Sequence, residues 1–368
     1  MRPCASSILP LRQPQTRPRL NIRTFALVIA VASIAASACS SDPPTATASN
    51  TPATSVPPST TTTPEPPATV PGSTPVGAAA FLGPIKLAHL TDTTIGYRQF
   101  GDGAPLLMIM GSDAAMTIWD YRLLESLAIH ARVTIFDNPG VASSTTGRDR
   151  TLSIESMGQD TISLMDALGI ERANVMGWSM GSYVALMIAT QHPDRVDRLI
   201  IAAGDAGSPR SPQGSAADLA ALADPATPTG TLLELLFPAS AGAAMREYLA
   251  AYAAVPQEQV DSEIRRRQFE AIDVWARGPG LFDRLAEISQ PVLVAHGDQD
   301  RIVPVENAHI LARLLSDATL RIFPGAGHGF LFQEPGRLGE AIAEFLAEEP
   351  APGRSDGSSR GGLQLPGS

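Results

Sequence analysis

The stretch NVMGWSMGSYVALMIA, Asn174–Ala189, constrains the fold more than any other part of the chain. A strand-like apolar run stops at Gly177-Trp178-Ser179-Met180-Gly181 and continues at once as a helical pattern. A strand that turns into a helix within five residues needs glycine on both sides of the turn. The serine between them is either a turn residue or a nucleophile on display.

The same rhythm runs through residues 77–350. Apolar runs at 95–101, 105–111, 133–138, 173–179, 197–204, 291–297 and 318–325 read as strands. Helical patterns at 119–131, 153–168, 180–191, 304–316 and 335–348 separate them. Such alternation predicts an α/β fold with a mostly parallel, doubly wound sheet. Residues 206–288 break the rhythm: they carry no strand signal and read as a helical insertion, a lid. With 44% of its residues hydrophobic, the chain can build a sizeable core.

Charge and cysteine content exclude several functions. The net charge is −10, and Lys86 is the one lysine. The densest basic run, Arg265-Arg266-Arg267, is flanked by Glu263 and Glu270 and reads as the solvated face of a helix. A chain with this balance is not expected to bind nucleic acid. Cys4 and Cys39 both fall outside 77–350, so neither a disulfide nor a thiolate metal site is expected inside the domain. No metal or organic cofactor is expected.

The N-terminus has its own logic. Arginines 2, 12, 17, 19 and 23 precede an apolar run of about 15 residues, too short to span a bilayer and suited to an export signal. The run ends in Ala36-Ser37-Ala38-Cys39, which resembles the lipobox of bacterial lipoproteins. That resemblance implies a signal over 1–38, lipid attachment at Cys39 and a place on the extracytoplasmic side of a membrane; the alternative is secretion. Residues 39–76 are rich in Thr, Pro, Ser and Ala and lack aromatics, which predicts a disordered spacer. Extended, it could reach roughly 100 Å at about 3 Å per residue. The tail 351–368 is also expected to be disordered.

A serine hydroxyl needs a base to become nucleophilic. Of the six histidines, His328 in FPGAGHGF lies just past the last strand, on the sheet edge that also carries Ser179. His89, His130, His192 and His309 read as surface or packing residues, and His296 as a satisfied structural residue at a strand end. The base needs a carboxylate to orient it. HGDQDRIVP offers Asp298 and Asp300, again past a strand.

The order Ser179, Asp, His328 is that of the α/β-hydrolases. The chain resembles their esterase and non-haem haloperoxidase-like branch. There the pattern H-G-x-x-D ends on the triad acid, which implies Asp300; Asp205, just past LIIAAG, occupies the strand end that supplies the acid in some relatives. FDNPGVASS at 136–144 is similar to that family's F-D-x-x-G-x-G-x-S loop, with Pro139 and Ala142 as departures. PLLMIMGSDAAMTIWD is similar to its oxyanion strand and loop, with Met110 where histidine is usual.

The resemblance implies a serine hydrolase that cleaves carboxylic esters, or a related acyl bond of a small molecule, through an acyl-enzyme. The oxyanion would rest on the N–H groups of Met180 and Ser112, with Asp113 as an alternative to Ser112. Each such donor is worth roughly 3–4 kcal/mol of barrier. Trp119, Trp178 and Phe330 flank the site and are candidates for an apolar pocket. Rate is expected to rise with pH through roughly 6–7, where an ordinary histidine loses its proton. Lactone, thioester and peptide cleavage and perhydrolysis remain alternatives on the same triad. A ligand-binding lipoprotein without turnover remains one from a different class.

Overall fold

The computed structural model describes residues 81–348. The export signal, Cys39, the 39–76 spacer and the 351–368 tail lie outside the described residues.

The strands are β1 Lys86–His89, β2 Thr93–Phe100, β3 Ala104–Ile109, β4 Ala131–Phe136, β5 Thr145–Thr146, β6 Ala173–Trp178, β7 Val196–Ala202, β8 Val292–Gly297 and β9 Ala318–Phe323. They form one sheet in the order β1-β2-β4-β3-β6-β7-β8-β9, with β5 paired to β2. From β4 to β9 along this order all neighbours are parallel, whereas β2 is antiparallel to β1, β4 and β5. The helices are α1 Tyr121–Ala128, α2 Ile154–Ala167, α3 Met180–Gln191, α4 Ala216–Ala223, α5 Thr229–Leu236, α6 Gly242–Tyr252, α7 Ser262–Arg277, α8 Glu306–Leu314, α9 Phe330–Gln333 and α10 Pro335–Ala347.

The apolar strands are continuous in sequence because both faces of the sheet are covered. Successive side chains point to opposite faces. Leu107 and Ile109 of β3 pack with α2, α3 and α8, while Leu106 and Met108 pack with α1 and α10. Burying α3 on nearly all sides, from Met180 to Ala189, explains why its sequence shows no polar stripe. The helix α2 starts on a capping box between Ser153 and Ser156.

The expected parallel α/β sheet is therefore present, and among the described residues 206–288 contribute helices α4–α7 and no strand. Three elements escaped the sequence reading. The edge strand β1 buries only Ala88, so it shows no apolar run. The other two, β5 and α9, have two and four residues, too few for a period to appear.

The arginine run on α7 is a correction. Consecutive helical residues are turned by about 100° from one another, so three in a row cannot share one face. Arg266 is solvated and pairs with Glu263 and Glu270. Arg267 is buried and donates to the Arg150 carbonyl, and Arg265 turns inward to Asp113.

Candidate active site

Ser179 sits where β6 meets α3, with φ 54° and ψ −124°. A non-glycine residue in that region costs on the order of 1–3 kcal/mol, and surrounding structure must impose it. The imposition is visible. A Cβ at Gly177 would stand 2.1 Å from the Gly181 carbonyl oxygen, and one at Gly181 would stand 2.1 Å from the Ile109 carbonyl oxygen. The Ser179 N–H donates to the Ala202 carbonyl at 3.0 Å, which ties the turn to β7. Serine at a helix start usually caps it with its own oxygen. Ser179 caps nothing. Its hydroxyl is free for another partner, which answers whether this serine is only a turn residue.

That partner is His328. Its Nε2 lies 2.9 Å from Ser179 Oγ, and its Nδ1 lies 2.8 Å from Asp300 Oδ2. The other carboxylate oxygen, Oδ1, accepts the N–H groups of Ile302 and Val303, both at 2.9 Å. Burial alone would raise Asp300, but the His328 charge and hydrogen bonds from His296 and His328 outweigh it and hold the carboxyl below its ordinary range. The acid of the trio therefore stays ionised, and Nδ1 of His328 carries the proton between the two side chains.

The other carboxylates are engaged elsewhere. Asp298 accepts the Gly325 N–H at 2.7 Å and braces the turn after β9. Asp205 accepts from Gly207 N–H at 2.6 Å, Trp275 Nε1 at 3.1 Å and the Tyr183 hydroxyl at 3.1 Å. Burial pushes Asp205 up, and these neutral donors oppose it.

His296 does more than satisfy itself. Its Nε2 is 2.7 Å from the Val303 carbonyl and 3.2 Å from Asp300 Oδ2, so it is a fourth side of the carboxylate's surroundings. Both neighbours are acceptors, which places a proton on Nε2 and leaves the buried Nδ1 without a partner.

The expected oxyanion donors are open. Neither Met180 N–H nor Ser112 N–H is bonded to another described residue. Gly111 brings that loop against the serine: a Cβ there would be 3.3 Å from Ser179 Cβ and 3.1 Å from the Trp178 ring. The alternative donor, Asp113 N–H, is already spent on Gln268 Oε1 at 2.8 Å.

The 136–144 loop is bonded to the loop that follows β3. Asn138 Nδ2 donates to the Met110 carbonyl at 2.9 Å. Asp137 accepts from Met116 N–H at 2.7 Å and Ser143 N–H at 3.1 Å. Ala142, where the family pattern has glycine, takes φ 41°.

Burial pushes the Asp137 carboxyl up to about 6, against the pull of those two N–H groups. The folded protein therefore holds this proton at pH values where the unfolded chain has lost it. Between about pH 4 and 6 this residue makes stability fall as pH rises, by at most about 1.4 kcal/mol per pH unit. Asp137→Asn is expected to remove that downward component. Thermal unfolding of both proteins across pH 4–7 measures it; identical slopes would contradict the assignment.

The three apolar candidates are all buried. Phe330 is fully buried, its ring 4.9 Å from that of Phe323. Trp119 is buried and borders a hollow of about 10 Å³ with Tyr248 and Tyr252. Trp178 lies 5.4 Å from the His328 ring, and its Nε1 donates to the His328 carbonyl at 3.1 Å. A cleft of about 380 Å³ runs between residues 148–153 and α7 and is lined by none of the three. Trp178 thus fixes the base's loop. Trp178→Phe should cost about 1 kcal/mol of stability and lower kcat roughly threefold to tenfold. Denaturant unfolding and steady-state kinetics read the two effects.

No cluster of His, Cys, Asp and Glu side chains among the described residues is arranged to hold a metal ion.

A strained serine on a parallel sheet, hydrogen-bonded to a histidine and through it to an aspartate, is the layout of the serine hydrolases. A model of the alpha/beta hydrolase fold family matches residues 104–335, and the chain belongs to that family. It is a hydrolase. It is 30% identical over 259 residues to the protein named "Putative carbamate hydrolase RutD" from Caulobacter sp. (strain K31), covering 68% of this chain and 93% of that one. It is 28% identical over 268 residues to 2-hydroxymuconate semialdehyde hydrolase from Pseudomonas sp. (strain CF600), covering 68% and 89%. Among solved structures, the alpha/beta hydrolase fold protein from Chitinophaga pinensis has a TM-score of 0.66 at 25% identity, covering 73% of this chain and 99% of that one.

Proposed function

We propose that the chain cleaves carboxylic esters, or a closely related acyl bond, through an acyl-enzyme on Ser179. The observation that supports this most is the unbroken contact from Ser179 Oγ to His328 and on to Asp300. His328 Nε2 takes the hydroxyl proton as Oγ attacks the acyl carbonyl. The imidazolium that forms is held by Asp300. The oxyanion rests on the N–H groups of Met180 and Ser112. The leaving alcohol departs with the proton from Nε2, and water then repeats the sequence to free the acid. No cofactor enters these steps.

A second reading has its own support. Relatives bear the names of a carbamate hydrolase and of hydrolases of 2-hydroxymuconate semialdehyde and 2-hydroxy-6-oxo-6-phenylhexa-2,4-dienoate. The same serine could attack such a carbonyl and expel an amine or a carbanion, protonated from His328 Nε2, instead of an alcohol. Turnover of aryl esters, aryl carbamates and 2-hydroxy-6-oxo-dienoates by the purified protein separates these. Ester turnover at least tenfold above the others in kcat/KM supports the first reading, and a dienoate preference replaces it. No turnover of any acyl compound leaves a binding protein.

For its location we propose export and lipid attachment at Cys39, with 39–76 as the spacer that holds the domain off the membrane. The support is the Ala-Ser-Ala-Cys sequence followed by a Thr- and Pro-rich stretch. Among the described residues no helix is long and apolar enough to cross a membrane. Mass spectrometry of the mature N-terminus decides: a diacylglyceryl-modified Cys39 is expected, and an unmodified terminus contradicts it.

A further inference from the structure

We infer that helix α7 sets the oxyanion hole: Arg265 and Gln268 pin Asp113 in a strained conformation, and that pin aims the Ser112 N–H at the reacting carbonyl. The inference rests on the reading of Ser112 N–H as an oxyanion donor.

Asp113 follows Ser112 directly and has φ 55°. A residue with a Cβ disfavours that region, aspartate less than most, while glycine enters it as readily as the ordinary one. Two side chains hold Asp113 there, and both come from α7, on one face, three residues apart. Gln268 is fully buried, and its Oε1 accepts the Asp113 N–H at 2.8 Å. The orientation of this amide is set by its partner, because the opposite one would aim an N–H at an N–H. Arg265 pairs with the Asp113 carboxylate and also donates to the Leu222 carbonyl at 2.7 Å, where α4 ends. The guanidinium therefore joins three pieces: the oxyanion loop, α4 and α7.

The geometric consequence is direct. Fixing the Asp113 N–H fixes the plane of the Ser112–Asp113 peptide, since N–H and C=O lie in it on opposite sides. The Ser112 N–H lies in the preceding peptide plane, so with this plane fixed it turns only through the φ and ψ of Ser112, beside Gly111, which stands against Ser179. Released, Asp113 relaxes toward negative φ, the plane turns and the donor leaves the hole. The helical insertion thus reaches the site through α7. The hole is complete only when α7 is seated, so any movement of α7 that admits a substrate also loosens the hole, and closure restores it. Gln268 and Arg265 are positioning residues and touch none of the reacting atoms in this account.

The test uses the full chain and an aryl ester, with phenylboronate as a stand-in for the tetrahedral oxyanion. Gln268→Met keeps length and apolar volume and removes the acceptor. It should lower kcat on the order of tenfold to a hundredfold, as expected for a misaimed donor, with KM changed less than threefold. Phenylboronate affinity should fall in parallel. The decisive comparison places the same change beside Asp113→Gly. Glycine needs no pin to adopt φ 55°, so Gln268→Met should cost less than about fivefold in that background. Should Gln268→Met not fold, Arg265→Met takes its place, with about a tenfold fall expected in the Asp113 protein and at most twofold with glycine at 113. A kcat within threefold of the parent, or an equal loss with and without glycine at 113, overturns the inference. Failure of the function reading looks different: there the parent protein itself turns over no aryl ester, or Ser179→Ala leaves turnover unchanged.

Discussion

Ser179→Ala is expected to lower kcat/KM toward aryl esters by about 10⁴–10⁶-fold while the protein remains folded. The hydroxyl makes no cap and no contact other than that with His328, so its removal leaves β6, α3 and their hydrogen bonds in place. Alanine has the same backbone demands at φ 54° as serine, so the strain is unchanged. What disappears is the atom that would bond to the acyl group. The oxyanion donors stay, and the variant should still bind substrate with KM or Kd within a few-fold of the parent. A fall of less than about a hundredfold would mean that another group performs the attack. His328→Ala should cost as much, and the double variant little more, because the two act as one unit.

Gly181→Ala is expected to destabilise the domain by about 3 kcal/mol or more. The added carbon would stand 2.1 Å from the Ile109 carbonyl oxygen and 2.9 Å from that of Met110. Both atoms are backbone at the end of β3, and they cannot rotate aside as a side chain does. The only relief is to push β3 away from α3. That motion carries Gly111 and Ser112 with it, so the folded fraction of Gly181→Ala should also show depressed kcat. Gly177→Ala should behave alike, since its carbon would meet the Gly181 carbonyl carbon and oxygen at 2.3 and 2.1 Å. Urea unfolding gives the stability of each. A change under about 0.5 kcal/mol in both would show that the turn is not held as described.

These two residues show why the elbow was legible in the sequence. Its chemistry is local: strand, glycine, serine, glycine and helix follow one another, and each has one steric reason to be there. Ser179 and His328 could both be placed on one sheet edge because each lies directly past a strand. The acid was harder. Asp298 and Asp300 lie two residues apart past the same strand, and only the folded turn, with Gly325 bound to Asp298, separates their roles. The family pattern pointed to Asp300, and local reasoning alone did not.

The second histidine and the α7 pin were not legible for a different reason. His296 looks like any buried strand residue until Asp300 folds back over four positions to meet it. Arg265 and Gln268 meet Asp113 across 152 and 155 residues, and no local period encodes such a meeting. The arginine run even pointed the wrong way, because charge density hid the rotation between neighbours on a helix. Conversely, Trp119, Trp178 and Phe330 drew attention as pocket candidates because aromatic residues stand near the motifs. The core uses the same residue types, and sequence does not distinguish the two uses.

Among the described serines, Ser179 is the one that His328 makes nucleophilic. Incubation with a fluorophosphonate, followed by intact mass and peptide mapping, tests it most directly. The account predicts one adduct per chain, on the peptide carrying Ser179, lost in Ser179→Ala and slowed at least a hundredfold in His328→Ala. An adduct on a different residue, or none on a folded protein, would contradict it.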